Sequence, residues 1–284
     1  MQTLNIMGAG RVGQTLGHLW QQSRSFVLQD VLTRHANTAE AACAFMRGGT
    51  PVGEMAGMRP ADVWMLAVPD AQIRAAAESL AQARGPQTTA PLVFHCSGAQ
   101  SSDSLEALAA MGWRTASAHC ILSFASAAVA VQQFAGTACA LEGPADATAT
   151  LHTAFTAIQA HCFTVQREHK LLYHAAAVFA TNFLPVIQQT AEDAWRATGV
   201  PEALLPHLRE SLLQNAVANI TRMGPSKALT GPGARGDVEA IAKQAEVVTA
   251  WDAKAGAAYV ALSDLALRMA KASKVTSTDT ASPH

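Results

Sequence analysis

The chain has 284 residues, half of them hydrophobic, with only 14% charged residues and a formal net charge of -1. That length and apolar content supply a packed core for one large domain or two medium ones. So sparse and balanced a charge excludes the basic footprint of a nucleic-acid binder and a polybasic membrane patch, which leaves a small neutral or acidic molecule as the expected partner.

In chain order, the first expected strand is Leu4 to Met7, reached from Met1 without a basic leader, so the expected location is the cytoplasm. Gly8-Ala9-Gly10-Arg11-Val12-Gly13 follows, a G-x-G-x-x-G that opens the helix Val12 to Ser23, and then a second strand, Val27 to Thr33. Strand, glycine loop, helix and strand make a dinucleotide-binding unit. Gly8 permits the tight turn, Gly10 lets the backbone approach pyrophosphate, and Gly13 lets helix and strand pack. Arg11 and Val12 complete the loop, with the helix N-terminus facing the anion.

The second strand ends in Thr33-Arg34-His35, which puts a guanidinium where an NAD site carries a carboxylate and favours NADP over NAD. Asp30 is the rival carboxylate, but a strand ending there would leave Val31 and Leu32 outside the sheet.

Further strands are expected at Val63 to Val68, Leu92 to His95, Thr115 to Ala118, Thr137 to Leu141 and Phe163 to Val165. Helical stretches at Ala36 to Phe45, Ala71 to Ala83 and Ser104 to Met111 alternate with them, the rhythm of a mainly parallel, doubly wound α/β sheet. The uncharged run Thr115 to Leu141 is long enough to cross a bilayer, yet Ser117, His119, Gln132 and Gln133 interrupt it, and it reads as strand, loop and strand.

Val68-Pro69-Asp70 and Ser97-Gly98 end two strands at the carboxyl edge, where they would wall the nicotinamide half of a nucleotide. Asp70 reads equally as a helix cap. His119 ends another strand, where an imidazole could give a proton to a carbonyl or imine, or serve only as a hydrogen-bonded histidine. The five cysteines have no paired spacing and are expected as reduced thiols. His95-Cys96, His119-Cys120 and His161-Cys162 raise the question of a metal, but neighbouring residues on a strand face opposite ways, so no metal is expected.

Beyond Arg167 no strand follows, and Glu168 to Thr198, Pro206 to Met223, Val238 to Trp251 and Ala255 to Ala272 read as helices. The expected organisation is a Rossmann domain over 1–166, an all-helical domain over 167–272 and a disordered polar tail over 273–284. Ala175 to Leu184 is apolar around the helix and expected to be buried, with Asn182 as the polar exception beside a kink at Pro185. Asn182 and His174 are thus candidate catalytic residues, His174 reading also as a satisfied core histidine. The stretch ALTGPGARGD, 228–237, lies before a helix that Asp237 would cap. Its amides from Thr230 and Gly231 onward, with the Arg235 side chain, could hold an anionic group, or the segment is only a rigid turn.

FHCSGAQSSDSLEALAAMGWRTASAHC (94–120), YHAAAVFATNF (173–183) and ALTGPGARGD together resemble a family of Rossmann-like proteins with a C-terminal helical domain of unknown function, usually described as NADP oxidoreductases. The resemblance runs from Leu4 to about Ala272. It implies the architecture of the 6-phosphogluconate dehydrogenase-like and pyrroline-5-carboxylate reductase-like group, a Rossmann domain followed by a 6-phosphogluconate dehydrogenase C-terminal-like helical domain. That family usually has proline after the histidine matching His119, where this chain has Cys120. The 3-hydroxyacid dehydrogenases of the group carry lysine and asparagine one helical turn apart. Here Lys170 is followed by His174 and Asn182 is preceded by Val178, so that pair is not implied. In pyrroline-5-carboxylate reductases a loop placed like 228–237 helps to hold the substrate carboxylate.

The expected function is therefore an NADP-dependent oxidoreductase acting on a small, acidic carbonyl or imine compound in an interdomain cleft, assembled as a homodimer. A non-catalytic NADP-binding sensor is the alternative.

Overall fold

Strands that are apolar on both faces need cover on both sides, and the N-terminal half meets that demand with one eight-stranded sheet. The computed structural model describes residues 1–85 and 90–279. The strands are β1 (Gln2–Met7), β2 (Phe26–Leu32), β3 (Thr50–Val52), β4 (Val63–Leu66), β5 (Leu92–His95), β6 (Arg114–Cys120), β7 (Ala138–Glu142) and β8 (His161–Thr164). Their spatial order is β3-β2-β1-β4-β5-β6-β7-β8. All neighbours run parallel except β6 and β7. The strand order turns back at β1 and β4, and the crevice beyond the carboxyl ends at such a point is where this kind of sheet binds ligands.

The helices of this part are α1 (Arg11–Ser23), α2 (Ala36–Met46), α3 (Ile73–Arg84), α4 (Glu106–Ala109), α5 (Ala127–Gln133), α6 (Ala145–Thr156) and α7 (Lys170–Ala177). Alternate strand residues divide the core into two layers. Leu4, Ile6, Val63, Met65, Leu92 and Phe94 pack with Leu16 and Trp20 of α1 and Phe155 of α6. Met7, Trp64, Leu66 and Val93 pack on the other face with Ile73, Ala77 and Leu80 of α3. β3 was not expected from the sequence, because Thr-Pro-Val is three residues long. It fits at the sheet edge, where Pro51 need not donate to a further strand.

Two compact units divide the chain at 181/182 rather than at 166/167. Lys170 explains the shift: it is buried, and its ammonium bonds to Ser97 and Ser117 of the sheet domain, so α7 belongs to the first unit.

The second unit is helical: α8 (Phe183–Ala197), α9 (Leu205–Met223), α10 (Pro225–Ala228), α11 (Gly231–Arg235), α12 (Val238–Trp251) and α13 (Ala253–Asp279). Before it, Val178–Asn182 forms a π-helical turn. Pro185 accounts for it, since proline gives no amide hydrogen and its ring crowds the carbonyl four residues back, which a wider turn relieves. The burial expected for Ala175 to Leu184 is not found: Phe179, Phe183 and Leu184 are exposed, as is Asn182. The tail expected from Ser273 is also revised, because α13 runs on through Asp279 in a stretch free of glycine and proline. Residues 280–284 of that expected tail lie outside the described residues.

Trp20 joins helix and sheet most tightly. It is fully buried, meets Phe26 and Phe155 edge to face at 5.3 and 5.1 Å, and donates from Nε1 to the Ala154 carbonyl at 2.9 Å. Trp20→Ala is expected to cost about 3–5 kcal/mol in denaturant unfolding, and a loss under about 1 kcal/mol would contradict this packing.

Candidate active site

The glycine loop is shaped by close contact. Gly8 has a φ of +86°, and a Cβ on it would stand 2.6 Å from the Ala67 carbonyl oxygen, so no other residue fits. A Cβ on Gly10 would meet nothing within 4 Å, which leaves open space beside the start of α1. Gly8, Gly10, Thr33, Arg34, Val68 and Pro69 line one cavity of about 240 Å³ together with His35, Thr38 and Gln72. Gly13 lies behind the loop, its Cβ position 2.6 Å from the Gly8 oxygen. Arg11 points elsewhere and donates to the Phe124 carbonyl at 3.3 Å.

Asp30 is no candidate for a ribose. It is buried in mid-strand, where its carboxylate accepts from the Arg59 amide at 2.6 Å and from Arg59 Nη2 at 2.6 Å. Arg34 instead reaches the cavity from the end of β2, with Nη2 3.4 Å from Gln72 Oε1. The first turn of α2, just behind it, holds no acidic residue. A cation, the Thr38 hydroxyl and a helix N-terminus thus stand where an anion could bind. Thr38 was missed because the sequence reading stopped at the end of the strand.

A second cavity, about 180 Å³, is lined by Val12, Asp70, Ser97, Gly98, His119 and His174 among others. Asp70 does not cap a helix with its side chain; it accepts from Ser97 Oγ at 2.6 Å. His119 Nδ1 lies 2.7 Å from the Tyr173 hydroxyl. His174 Nδ1 is buried without a hydrogen-bond partner among the described residues. Both imidazoles close on Gly98, where a Cβ would stand 2.6 Å from His174 Nδ1 and 2.8 Å from His119 Nε2. Glycine is required there by space.

Beneath this cavity runs a buried polar chain. Lys170 Nζ donates to the Ser97 carbonyl at 3.0 Å and to Ser117 Oγ at 2.9 Å, and Ser117 donates to Glu142 at 2.8 Å. Ser102 donates to Glu142 through its amide and its hydroxyl, each at 2.8 Å. Burial lowers the Lys170 pKa. His119 is pushed down to about 4, first by burial and then by the Lys170 ammonium and His174, with Asp70 opposing. It is therefore a neutral imidazole near pH 7, not the ready-charged acid that a strand-end histidine suggests. Tyr173, Ser117 and Glu142 were missed in the sequence, and Lys170 was set aside for want of a paired asparagine, although Lys170, Tyr173 and His174 are spaced three and four residues apart, on one helix face.

The other sequence candidates lie in the second unit. Asn182 ends the π-helical turn just before α8 and is exposed. The stretch 228–237 is not an open loop but contains the short helix α11, entered through Thr230 and Gly231. Arg235 ends α11 on the surface, and Asp237 Oδ1 caps α12 by accepting from the Ala240 amide at 3.1 Å.

Residues 2–119 match the family of Rossmann-like domains, and residues 137–266 match the family Domain of unknown function (DUF2520). Protein TM1727 from Thermotoga maritima shares the fold at 22% identity and a TM-score of 0.75, over 95% of this chain and 99% of that one. An imine reductase from Myxococcus stipitatus, solved with NADP+, is similar at 17% identity and a TM-score of 0.64, over 95% of this chain and 94% of that one. A pyrroline-5-carboxylate reductase from Coxiella burnetii is similar at 15% identity and a TM-score of 0.58, over 93% and 98%. These likenesses establish a shared fold. No protein of curated function matches the sequence.

The lowered His119 pKa carries a sign for stability. Between about 4 and the ordinary 6.5 the unfolded chain binds the proton that the folded chain refuses, so stability falls as pH drops through that window. Thermal melts between pH 7 and 4.5 should show a shallower loss for His119→Gln than for the native chain; equal slopes would contradict the assignment.

Proposed function

We propose that this chain, which belongs to the Rossmann-like proteins that carry the DUF2520 domain, is an NADP-dependent oxidoreductase that reduces a small carbonyl or imine compound. The observation that carries this reading is the cavity at Gly8 and Gly10, bounded by the Arg34 guanidinium while Asp30 is already engaged by Arg59. A 2′-phosphate fits that charge; a ribose diol seeking a carboxylate does not. The loop amides and the start of α1 would hold the pyrophosphate. When bound, the reduced nicotinamide supplies the hydride. Val68, Pro69, Asp70 and Ser97 would border it, and His119 and His174 would face the substrate. Solved relatives of this fold include imine reductase complexes with NADP+ and with NAD+, which supports a nicotinamide nucleotide without choosing between the two.

The proposed substrate carries an anionic group, and Arg235 with the amides after Thr230 is the stretch of the sequence proposed to bind it. Arg34→Ala should weaken NADPH binding about tenfold or more and leave NADH unchanged, measured by equilibrium fluorescence. Arg235→Ala should leave NADPH affinity intact and raise the KM of a substrate found by screening NADPH oxidation over keto acids and cyclic imines. Preference for NADH would overturn the phosphate assignment. Tight NADPH binding with no turnover across the panel would favour a sensor.

The second unit exposes Val186, Ile187, Leu212, Val247, Trp251 and Leu262, and the run Arg167–Ala197 is long and apolar enough to cross a membrane by length and composition. Apolar surface on this scale calls for a cover, and a second copy of the chain, in the cytoplasm, is the proposed one. Light scattering at micromolar concentration should give twice the chain mass. A monomer would remove the idea.

A further inference from the structure

His119 stands between two surroundings. Its Nδ1 meets the Tyr173 hydroxyl at 2.7 Å, and its Nε2 faces the cavity beside Gly98. Which ring nitrogen holds the proton decides what the cavity can bind, and the direction of one hydrogen bond settles that. A phenol is a stronger acid than a neutral imidazole N–H, and imidazole nitrogen is the better base, so O–H···N is the favoured sense. The reverse sense would leave the Tyr173 hydroxyl hydrogen unpaired, because His119 is its only hydrogen-bond partner among the described residues.

We propose that Tyr173 is a positioning residue which holds His119 as the Nε2–H tautomer, so that the cavity offers a neutral N–H donor to a carbonyl oxygen or an unprotonated imine nitrogen, and not to a protonated iminium. The inference rests on the reductase reading and narrows its substrate class. A neutral imidazole can release Nε2–H without becoming an anion only if Nδ1 gains a proton in the same event, and Tyr173 is placed to give one. As the substrate carbon takes its hydride, the π pair of the C=O or C=N bond moves to the heteroatom, which takes the proton from Nε2. The Tyr173 O–H bond breaks and an Nδ1–H bond forms; once product has left, Nε2 takes a proton from solvent as Nδ1 returns its proton to the phenolate, which restores the Nε2–H tautomer and the phenol. The balance is one hydride and one proton added to the double bond.

The groups around the ring agree with this assignment. Lys170 and His174 lie close enough to disfavour an imidazolium, Asp70 opposes them more weakly, and burial dominates all three. Burial also raises the Tyr173 pKa above its ordinary value, which keeps the phenol protonated as a donor. The Lys170 ammonium sits 6.0 Å from the Tyr173 ring centroid, where a transient phenolate would find positive charge.

The test reads the tautomer directly. Ring nitrogen-15 shifts of histidine in the uniformly labelled full chain, at pH 7 and with NADPH present, would be assigned to His119 by its loss in His119→Gln. The expected spectrum has a protonated Nε2 and a bare, hydrogen-bonded Nδ1, and Tyr173→Phe should turn it into a mixture of both tautomers. A proton on Nδ1 in the native chain overturns the proposal, as does a Tyr173→Phe spectrum identical to the native one. The native spectrum decides even if the variant folds poorly. Neither readout needs turnover, so failure here is distinct from failure of the reductase reading. With a substrate in hand, Tyr173→Phe should lower kcat by about 10²-fold with KM nearly unchanged.

Discussion

A buried ammonium organises the first unit. Taking the Lys170 charge out of water costs several kcal/mol unless its donors and a counter-charge are met within the protein. The Ser97 carbonyl, Ser117 Oγ and, through Ser117, Glu142 meet them. Because those partners sit on the turn after β5, on β6 and on β7, satisfying one cation ties three strands to the start of α7. Tyr173 and His174 follow within one turn of that helix and are thereby delivered against His119. Gly98, next to the carbonyl that Lys170 holds, leaves room for both imidazoles.

Burial, with the Lys170 charge second to it, sets the chemistry of the cavity: together they keep the His119 imidazole neutral at physiological pH. A neutral imidazole gives directed hydrogen bonds in place of full charge, and the partner on its far nitrogen fixes which way they point. Asp70, held by Ser97 at 2.6 Å, supplies a carboxylate to the cavity wall. The positive side chain lies instead at the other cavity, with Arg34 near the start of α2, so the two ends of a dinucleotide would meet different electrostatics.

The Rossmann half was legible because its signals are local. Glycines at fixed spacing, a period-two strand pattern and an arginine after β2 each carry their own geometry, and Val31 and Leu32, expected to stay in the sheet, do so as β2 runs to Leu32. The helical face was not legible in the same way. Ala175 to Leu184 reads as buried because apolarity states that water is disfavoured, not which surface provides the cover, and within the chain that segment is exposed. Asn182 then lost the buried setting on which its candidacy stood. Lys170, set aside for want of an asparagine one turn on, and Tyr173, not singled out, owe their meaning to Ser97, Ser117 and His119, more than fifty residues away in the chain. Over 273–279 the expected tail is instead helical, since polarity alone does not end a helix that meets no glycine or proline there.

On the proposed reading, the first unit seats a reduced NADP with its phosphate end on Arg34 and its reactive end beside Gly98. A crystal structure of the protein with NADPH bound tests it most directly. The account predicts the 2′-phosphate against Arg34 and the first turn of α2, and the nicotinamide ring in the cavity faced by His119 Nε2. Ribose hydroxyls paired with a carboxylate, or a nicotinamide lying away from His119 and His174, would contradict it.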